Sequence, residues 1–180
     1  RDTDCAPALG YHYDPLDYVA SGRTVSANLT LNGGVALGTY GAAGSYGLGL
    51  NSGNFVSVGS AGKMNWIVRY NTVQEQSTAD WAASSVAAGV KLLSSSPSVD
   101  SQFTGWSLLG GSGDHFNDTT DGSTPSVFKH CRFGGGNFTI DPGACDLTSC
   151  SWERVYVKLQ DDADNGRQWY LYNNLFYGGT

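Results

Sequence analysis

The chain has 180 residues, a formal net charge of −6 at pH 7 and a sequence pI near 4.7. Charged residues make up only 14% of the sequence and hydrophobic residues 40%, which excludes a highly charged disordered chain. The acidic balance argues against a cationic face for nucleic acid or for an anionic membrane, and no apolar run reaches the roughly 18 residues of a membrane-spanning helix. We therefore expect one domain over residues 1–180 that binds no nucleic acid and does not insert into a membrane.

The segment from Asp4 to Gly22 contains two prolines and a cluster of aromatic and acidic residues. The prolines predict an irregular strap held by Cys5. Tyr11 and Tyr13 are candidate binding residues, in a cluster that could bind a sugar or a cation, and the alternative is an aromatic strap that packs on the sheet.

The next segments favour short strands. The run from Thr24 to Leu31 alternates apolar and polar residues, which predicts a strand with Asn28 on its outer face. Glycine recurs from Gly33 to Gly62 with no fixed period, so we predict hairpins or bulges and no repeat. The run from Asn65 to Tyr70 predicts a central strand.

One helix is predicted over about residues 78–94, where apolar residues such as Val86 and Val90 share one face. Gly89 weakens this helix, and the serines before Pro97 end it. No residue on it points to catalysis, and we expect it to cover one face of a sheet.

The stretch from Gly105 to Pro125 predicts a short strand at Trp106 followed by a polar loop. Loops on a rigid scaffold often carry function, so Asp114 and His115 form a candidate site and Trp106 a candidate binding residue. Against catalysis, the chain has no GxSxG or HExxH motif.

The run from Arg154 to Leu159 alternates cleanly and predicts a half-buried strand. By the same alternation Glu153 shares the apolar face, where burial would raise its pKa and suit it to act as a general acid. The alternatives are a hydrated strand end or a structural partner of Arg69 or Arg132. Beyond this strand, Asn165-Gly166 predicts a β-hairpin.

The chain has four cysteines and no CxxC spacing, so disulfides are favoured over a zinc site. Of the three possible pairings we favour Cys145 with Cys150 and Cys5 with Cys131. Disulfides imply an oxidising compartment, and we expect a secreted, extracellular protein whose leader has already been removed. Sequons at Asn28, Asn117 and Asn137 agree with secretion, although three is close to the number that chance predicts.

These patterns predict an α+β fold that is mostly β: a twisted antiparallel sheet, or a partial barrel or sandwich, with one covering helix. Two function classes remain. The favoured one is a non-catalytic, effector-like binding module for a cell-wall glycan or for a protein on another cell. The alternative is a small polysaccharide hydrolase or lyase that pairs Glu153 with Asp114 or Asp141. Nothing in the sequence points to a cofactor or a metal, and the oligomeric state is open.

Overall fold

The computed structural model describes residues 16–41, 45–70, 88–107, 113–161 and 166–179. These residues form 19 β-strands in three sheets, and every pair of neighbouring strands in the sheets is parallel.

Sheet A contains seven strands. They are β1 (Tyr18–Ala20), β4 (Ala36–Thr39), β7 (Asn65–Arg69), β10 (Thr104–Ser107), β13 (Arg132–Gly134), β16 (Ser151–Glu153) and β19 (Leu175–Tyr177). Sheet B contains six strands. They are β2 (Arg23–Val25), β5 (Tyr46–Leu50), β8 (Ala88–Leu92), β11 (Asp114–Asp118), β14 (Asn137–Ile140) and β17 (Tyr156–Leu159). Sheet C also contains six. They are β3 (Leu29–Leu31), β6 (Asn54–Val58), β9 (Ser98–Gln102), β12 (Ser126–Lys129), β15 (Cys145–Thr148) and β18 (Trp169–Tyr172).

Each strand pairs with the strand three places later in the chain. The backbone therefore winds as a solenoid, a parallel β-helix, in which three consecutive strands make one coil and contribute one strand to each sheet. Successive coils are separated by one strand spacing, about 4.8 Å. Equivalent residues of neighbouring coils thus stack in rows along the solenoid axis.

The core fills the inside of the solenoid. In sheet A one inward row runs through Ile67, Trp106, Phe133 and Trp152 to Phe176 at the last strand. The rings of Trp106 and Phe133 stack with centroids 6.0 Å apart, and those of Trp152 and Phe176 with centroids 5.6 Å apart. The other sheets close the core with three phenylalanines: the edges of Phe128 and Phe138 meet these rings, and Phe116 packs against Phe128 and Phe138.

The predicted antiparallel sheet with a covering helix is wrong. The second half of the predicted helix is β8, which pairs on both sides with parallel strands and buries Ala88, Val90 and Leu92. The apolar residues of this segment fit the spacing of a helix face, but alternate residues also fit one face of a strand. Pairing with neighbouring strands on both edges selects the strand. Residues 78–87 lie outside the described residues. The described part of the chain contains no helix that could cross a membrane.

The predicted C-terminal hairpin is also wrong. The strands on either side of Asn165-Gly166 are β17 and β18, which belong to different sheets. Each pairs in parallel with the strand three places earlier, β14 and β15 respectively. The connection between β17 and β18 is therefore a corner of the solenoid, although residues 162–165 lie outside the described part.

Two further strand predictions have different outcomes. The central strand at Asn65 to Tyr70 is confirmed, because β7 lies between β4 and β10. The single strand predicted from Thr24 to Leu31 is instead β2 and β3, on either side of a corner.

Candidate functional site

The strands of sheet A end where those of sheet B begin, and we call this edge of the solenoid the A–B corner. On three of the six coils the connection there is short: two residues join β1 to β2, β13 to β14 and β16 to β17. On the other three, which are successive, the connection has 6, 18 and 6 residues before β5, β8 and β11 respectively, and part of each segment lies outside the described residues. In solenoid proteins, insertions on one edge often mark the binding face. The A–B corner is therefore the first place to look for a site.

Glu153 lies at this corner, but its side chain does not point into the core. It is the last residue of β16 and is exposed, while its neighbour Trp152 points inward. Arg154 has a positive φ of 53° and turns the chain, which breaks the alternation that linked Glu153 to the apolar residues of β17. The expectation that Glu153 shares the buried face is therefore wrong. Among the described salt bridges, none joins Glu153 to an arginine.

Two exposed tyrosines lie at the A–B corner with Glu153, one on the next strand of sheet A and one on the strand that follows Glu153 in the chain. Tyr177, in register with Glu153 on the next strand of sheet A, donates a hydrogen bond from its hydroxyl to Oε1 at 3.4 Å. Tyr156 begins β17, directly after the corner. These two side chains are 59% and 51% exposed. An exposed tyrosine offers an apolar ring and a hydroxyl, and it loses little conformational entropy on binding. Tyrosine is therefore common on binding surfaces.

Beside Glu153 the corner is open. Gly134 is in register with Glu153 on the preceding coil, and a Cβ built on Gly134 would meet no heavy atom within 4 Å. Gly135 and Gly136 then turn the chain with positive φ angles of 63° and 79°, which side chains rarely adopt. We call the gap at Gly134, bordered by Glu153, the glycine notch.

Asp114 lies at the same corner, two coils before Glu153, as the first residue of β11. Its Oδ2 accepts a hydrogen bond from Asn117 at 2.5 Å, and its Oδ1 accepts one from Thr139 at 3.2 Å. Burial of the carboxyl raises the pKa of Asp114, although these two hydrogen bonds and the nearby Lys91 and Lys158 oppose the shift. Asp114 is therefore held in a polar cluster on the outer face of sheet B.

The structure does not bring Glu153 next to Asp114 or Asp141, the carboxylates with which it was predicted to form a catalytic pair. Glu153 ends a strand of sheet A, whereas Asp114 begins a strand of sheet B, and two coil spacings of about 10 Å separate them along the axis. Asp141, the other candidate, forms a salt bridge with Lys158 at 2.5 Å. The described hydrogen bonds join no two of these three carboxylates.

His115 is inside the core. The pairing of β11 with β14 shifts register between Asp114 and Asn117, and this irregularity turns both His115 and Phe116 inward. Burial lowers the pKa of His115 to about 3, with a small opposing contribution from the Gly135 backbone, and the ring meets Phe133 edge-on at 5.7 Å. A neutral, inaccessible imidazole cannot reach a bound ligand.

Of the remaining binding candidates, only Trp106 lies within the described residues, and it does not reach the corner. Trp106 is 1% exposed and belongs to the aromatic row of the core. Tyr11 and Tyr13 lie outside the described residues. Tyr156 and Tyr177, which the structure brings to the corner, were not singled out from the sequence. The run Gly134-Gly135-Gly136 was a detectable sign of a turn, but not of the tyrosines around it.

The cysteines show no disulfide among the described residues: Cys131, Cys145 and Cys150 are buried free thiols. Cys145 begins β15, and Cys150 lies two residues beyond its end. The extended segment from Cys145 to Thr148 alone spans about 10 Å, so the strand holds the two thiols too far apart for the predicted Cys145–Cys150 bridge. Cys5 lies outside the described residues, so the predicted Cys5–Cys131 pair remains a prediction.

The three sequons differ in their surroundings. Asn28 is exposed, whereas Asn137 is half-buried at the A–B corner. The Nδ2 atom of Asn117, to which a glycan would be attached, donates to Asp114, and its Oδ1 atom is buried. In the part of the chain that the structure covers, no group of three or more His, Cys, Asp or Glu side chains is arranged to hold a metal ion.

No protein-family model, curated protein or solved structure matches this chain. The class of protein is therefore defined by the architecture alone, a parallel β-helix with an open, tyrosine-lined corner.

Proposed function

We propose that this protein is a non-catalytic binding module for an extended, uncharged glycan, which lies along the A–B corner. The observation that carries the proposal is the exposure of Tyr156 and Tyr177 at this corner, where Tyr177 is hydrogen-bonded to Glu153 next to the glycine notch. The tyrosine rings offer surfaces for the apolar faces of sugar rings. The Glu153 carboxylate and the tyrosine hydroxyls offer hydrogen-bond partners for sugar hydroxyls.

The shape of the solenoid supports an extended ligand. Its side chains repeat along the axis at about one coil spacing, roughly 4.8 Å, so a linear polymer can contact equivalent positions on successive coils. Around the notch these positions are occupied by tyrosine, carboxylate, amide and glycine groups, which suit hydroxyl-rich ligands better than an apolar protein surface.

The charge of the chain selects among glycans. A net charge of −6, together with Glu153 and Asp114 at the corner, disfavours polyuronates and other acidic polymers. A neutral cell-wall polysaccharide is the ligand class that fits, and an extracellular location belongs to the same proposal.

The proposal is tested by affinity electrophoresis in native gels that contain a panel of neutral and acidic polysaccharides. The wild-type chain should be retarded by a neutral polymer, and Tyr156→Ala or Tyr177→Ala should weaken binding about tenfold or more. Tyr172→Ala is the matched control, because Tyr172 is 57% exposed but lies on sheet C. Its binding should equal that of the wild type.

Three outcomes would overturn the proposal. The first is no retardation by any neutral polymer, which would favour a protein ligand. The second is an equal loss of binding in Tyr172→Ala, which would show that binding does not depend on the A–B corner. The third is the release of reducing ends or unsaturated products, abolished by Glu153→Gln, which would make the protein a glycan-acting enzyme.

A further inference from the structure

A row of polar residues lies inside the solenoid, at the corner where sheet C leads into sheet A. It occupies the position at or just before the start of successive sheet A strands, and we call it the inner polar ladder. Its members are Asn65, Thr104, Cys131, Cys150 and Asn174. The first four are at most 2% exposed. Two thiols therefore occupy neighbouring rungs of a row that otherwise consists of hydroxyl and amide side chains.

The two thiols belong to adjacent coils in register. Arg132 pairs with Ser151, so the residues directly before them, Cys131 and Cys150, are also neighbours. The backbone N–H of Ser151 donates to the carbonyl of Cys131 at 2.9 Å, which ties the two coils together at this point. Neighbouring parallel strands are about 4.8 Å apart, and this lies within the Cα separations that disulfides span.

The side chains also have the same orientation. The thiol of Cys131 donates to the Ser101 carbonyl at 3.2 Å, and that of Cys150 donates to the Phe128 carbonyl at 3.4 Å, in each case on the preceding coil. Each sulfur thus takes the same place on its own coil. Burial raises the pKa of the Cys131 thiol, but hydrogen bonds from Cys150 and Ser101 outweigh it and leave that pKa below its ordinary value. The same hydrogen bond, followed by burial, raises the pKa of Cys150.

Cys145 is placed differently. It is paired with Ser126 and Trp169 at the start of β15, at the other end of that strand from Cys150. Burial, and then the nearby Asp146 and Asp118, raise its pKa to about 12. A thiol in that position is unreactive and has no thiol neighbour among the described residues.

The structure assigns a modification site to the inner polar ladder: we propose that Cys131 and Cys150 close into an intramolecular disulfide by exchange with a small-molecule disulfide such as oxidised glutathione. The Cys131 thiolate attacks one sulfur of glutathione disulfide. This step forms a mixed disulfide between Cys131 and one glutathione, and the other glutathione leaves as a thiolate. Cys150 then loses its proton to solvent and attacks the Cys131 sulfur, which releases the second glutathione. Two protein thiols are oxidised, and one glutathione disulfide is reduced to two glutathiones.

A surface cavity adjoins this pair. It has a volume of about 340 Å³, and Cys131 and Cys150 are among its lining residues. Arg132 and the exposed His130 also line it, and the guanidinium offers a partner for the carboxylates of glutathione. The product would link two consecutive coils covalently near the C-terminal end of the solenoid.

The experiment uses the full chain, refolded in a glutathione redox buffer, alkylated, digested without reduction and analysed by mass spectrometry. We expect a cross-linked peptide that joins Cys131 to Cys150, with Cys145 alkylated. Because the bridge closes a loop of about 20 residues, adding reductant should lower Tm by about 5–10 °C. The shift should persist in Cys145→Ser and Cys5→Ser, and it should vanish in Cys131→Ser and in Cys150→Ser.

Other cross-links would overturn the proposal. A peptide that joins Cys5 to Cys131 would restore the pairing favoured from the sequence, and one that joins Cys145 to Cys150 would contradict the strand between them. Full alkylation of Cys131 and Cys150 after equilibration in oxidising buffer would show that the pair stays reduced. Single variants that fail to fold do not block the test, because the cross-link is measured on the wild-type chain.

Discussion

The phenyl ring of Phe133 lies parallel to the indole of Trp152, with centroids 3.9 Å apart and an interplanar angle of 4°. The two residues are 19 positions apart in the chain but occupy the same place on neighbouring coils of sheet A. Their stacking is a direct result of the solenoid, in which equivalent positions of neighbouring coils lie one on another, and from Trp106 onward this position is aromatic. The aromatic row also continues on both sides, so its integrity depends on each member.

We predict that Phe133→Ala lowers the free energy of unfolding by about 3–5 kcal/mol, because it removes a ring that is 2% exposed and leaves a cavity between two indoles. Urea denaturation measures the change. Phe176→Ala is the control: Phe176 ends the same row but is 49% exposed, so its loss should cost about 1 kcal/mol. Equal losses in the two variants would contradict the model of a stacked core.

A second prediction concerns the acid stability that His115 sets. Its pKa falls from 6.5 in the unfolded chain to about 3 in the folded protein, because burial disfavours the charged ring. Stabilisation by the neutral imidazole is therefore complete above pH 6.5 and is lost as the pH falls from 6.5 towards 3. Lowering the pH from 7 to 4.5 should therefore reduce the free energy of unfolding by about 2–3 kcal/mol through this group.

Urea denaturation of the wild type and of His115→Phe at both pH values isolates this contribution. The variant should lose less stability on acidification than the wild type, by about that amount. His130→Gln, at an exposed position, should behave as the wild type. If His115→Phe shows the same acid dependence as the wild type, His115 is not buried as the structure places it.

A third prediction tests whether the glycine notch is a binding surface. A leucine at position 134 would enter open space, and Gly134 has no positive φ, so Gly134→Leu should leave Tm unchanged within about 2 °C. The same side chain would fill the notch beside Glu153 and should weaken glycan retardation about tenfold or more.

The matched control is Gly62→Leu. A Cβ at Gly62 also meets nothing within 4 Å, but this residue lies in the connection between β6 and β7, away from the A–B corner. Unchanged binding in Gly134→Leu, with a stable fold, would move the site elsewhere on the surface.

A fourth prediction concerns glycosylation in a eukaryotic secretory host. Asn28 should carry a glycan, since it is exposed in the turn between β2 and β3. Asn117 should not carry one in the folded protein, because its Nδ2 is bonded to Asp114 and its Oδ1 is buried. Glycopeptide mass spectrometry before and after endoglycosidase treatment distinguishes the two sites, and a glycan on Asn117 of the folded protein would contradict this packing.

Several features were determined by the sequence alone. The strand from Asn65 to Tyr70 was evident from its residue types, and so was the strand that contains Val157 and Leu159, because apolar and β-branched residues fit a pleated, half-buried surface wherever they pair. The composition likewise predicted a chain that folds mostly as β-structure. These properties depend on local alternation, which needs no knowledge of the partner strand.

The tertiary structure decided which strands pair and therefore where the site lies. Successive sheet A strands begin at residues 18, 36, 65, 104, 132, 151 and 175, so the coils differ in length from 18 to 39 residues and no fixed period reveals the solenoid. Alternation within one strand carries no information on parallel or antiparallel pairing, and a corner such as Arg154 reverses it. For this reason Tyr177 reaches Glu153, and Cys131 lies beside Cys150, only because residues 24 and 19 positions apart in the chain lie on neighbouring coils one strand spacing apart.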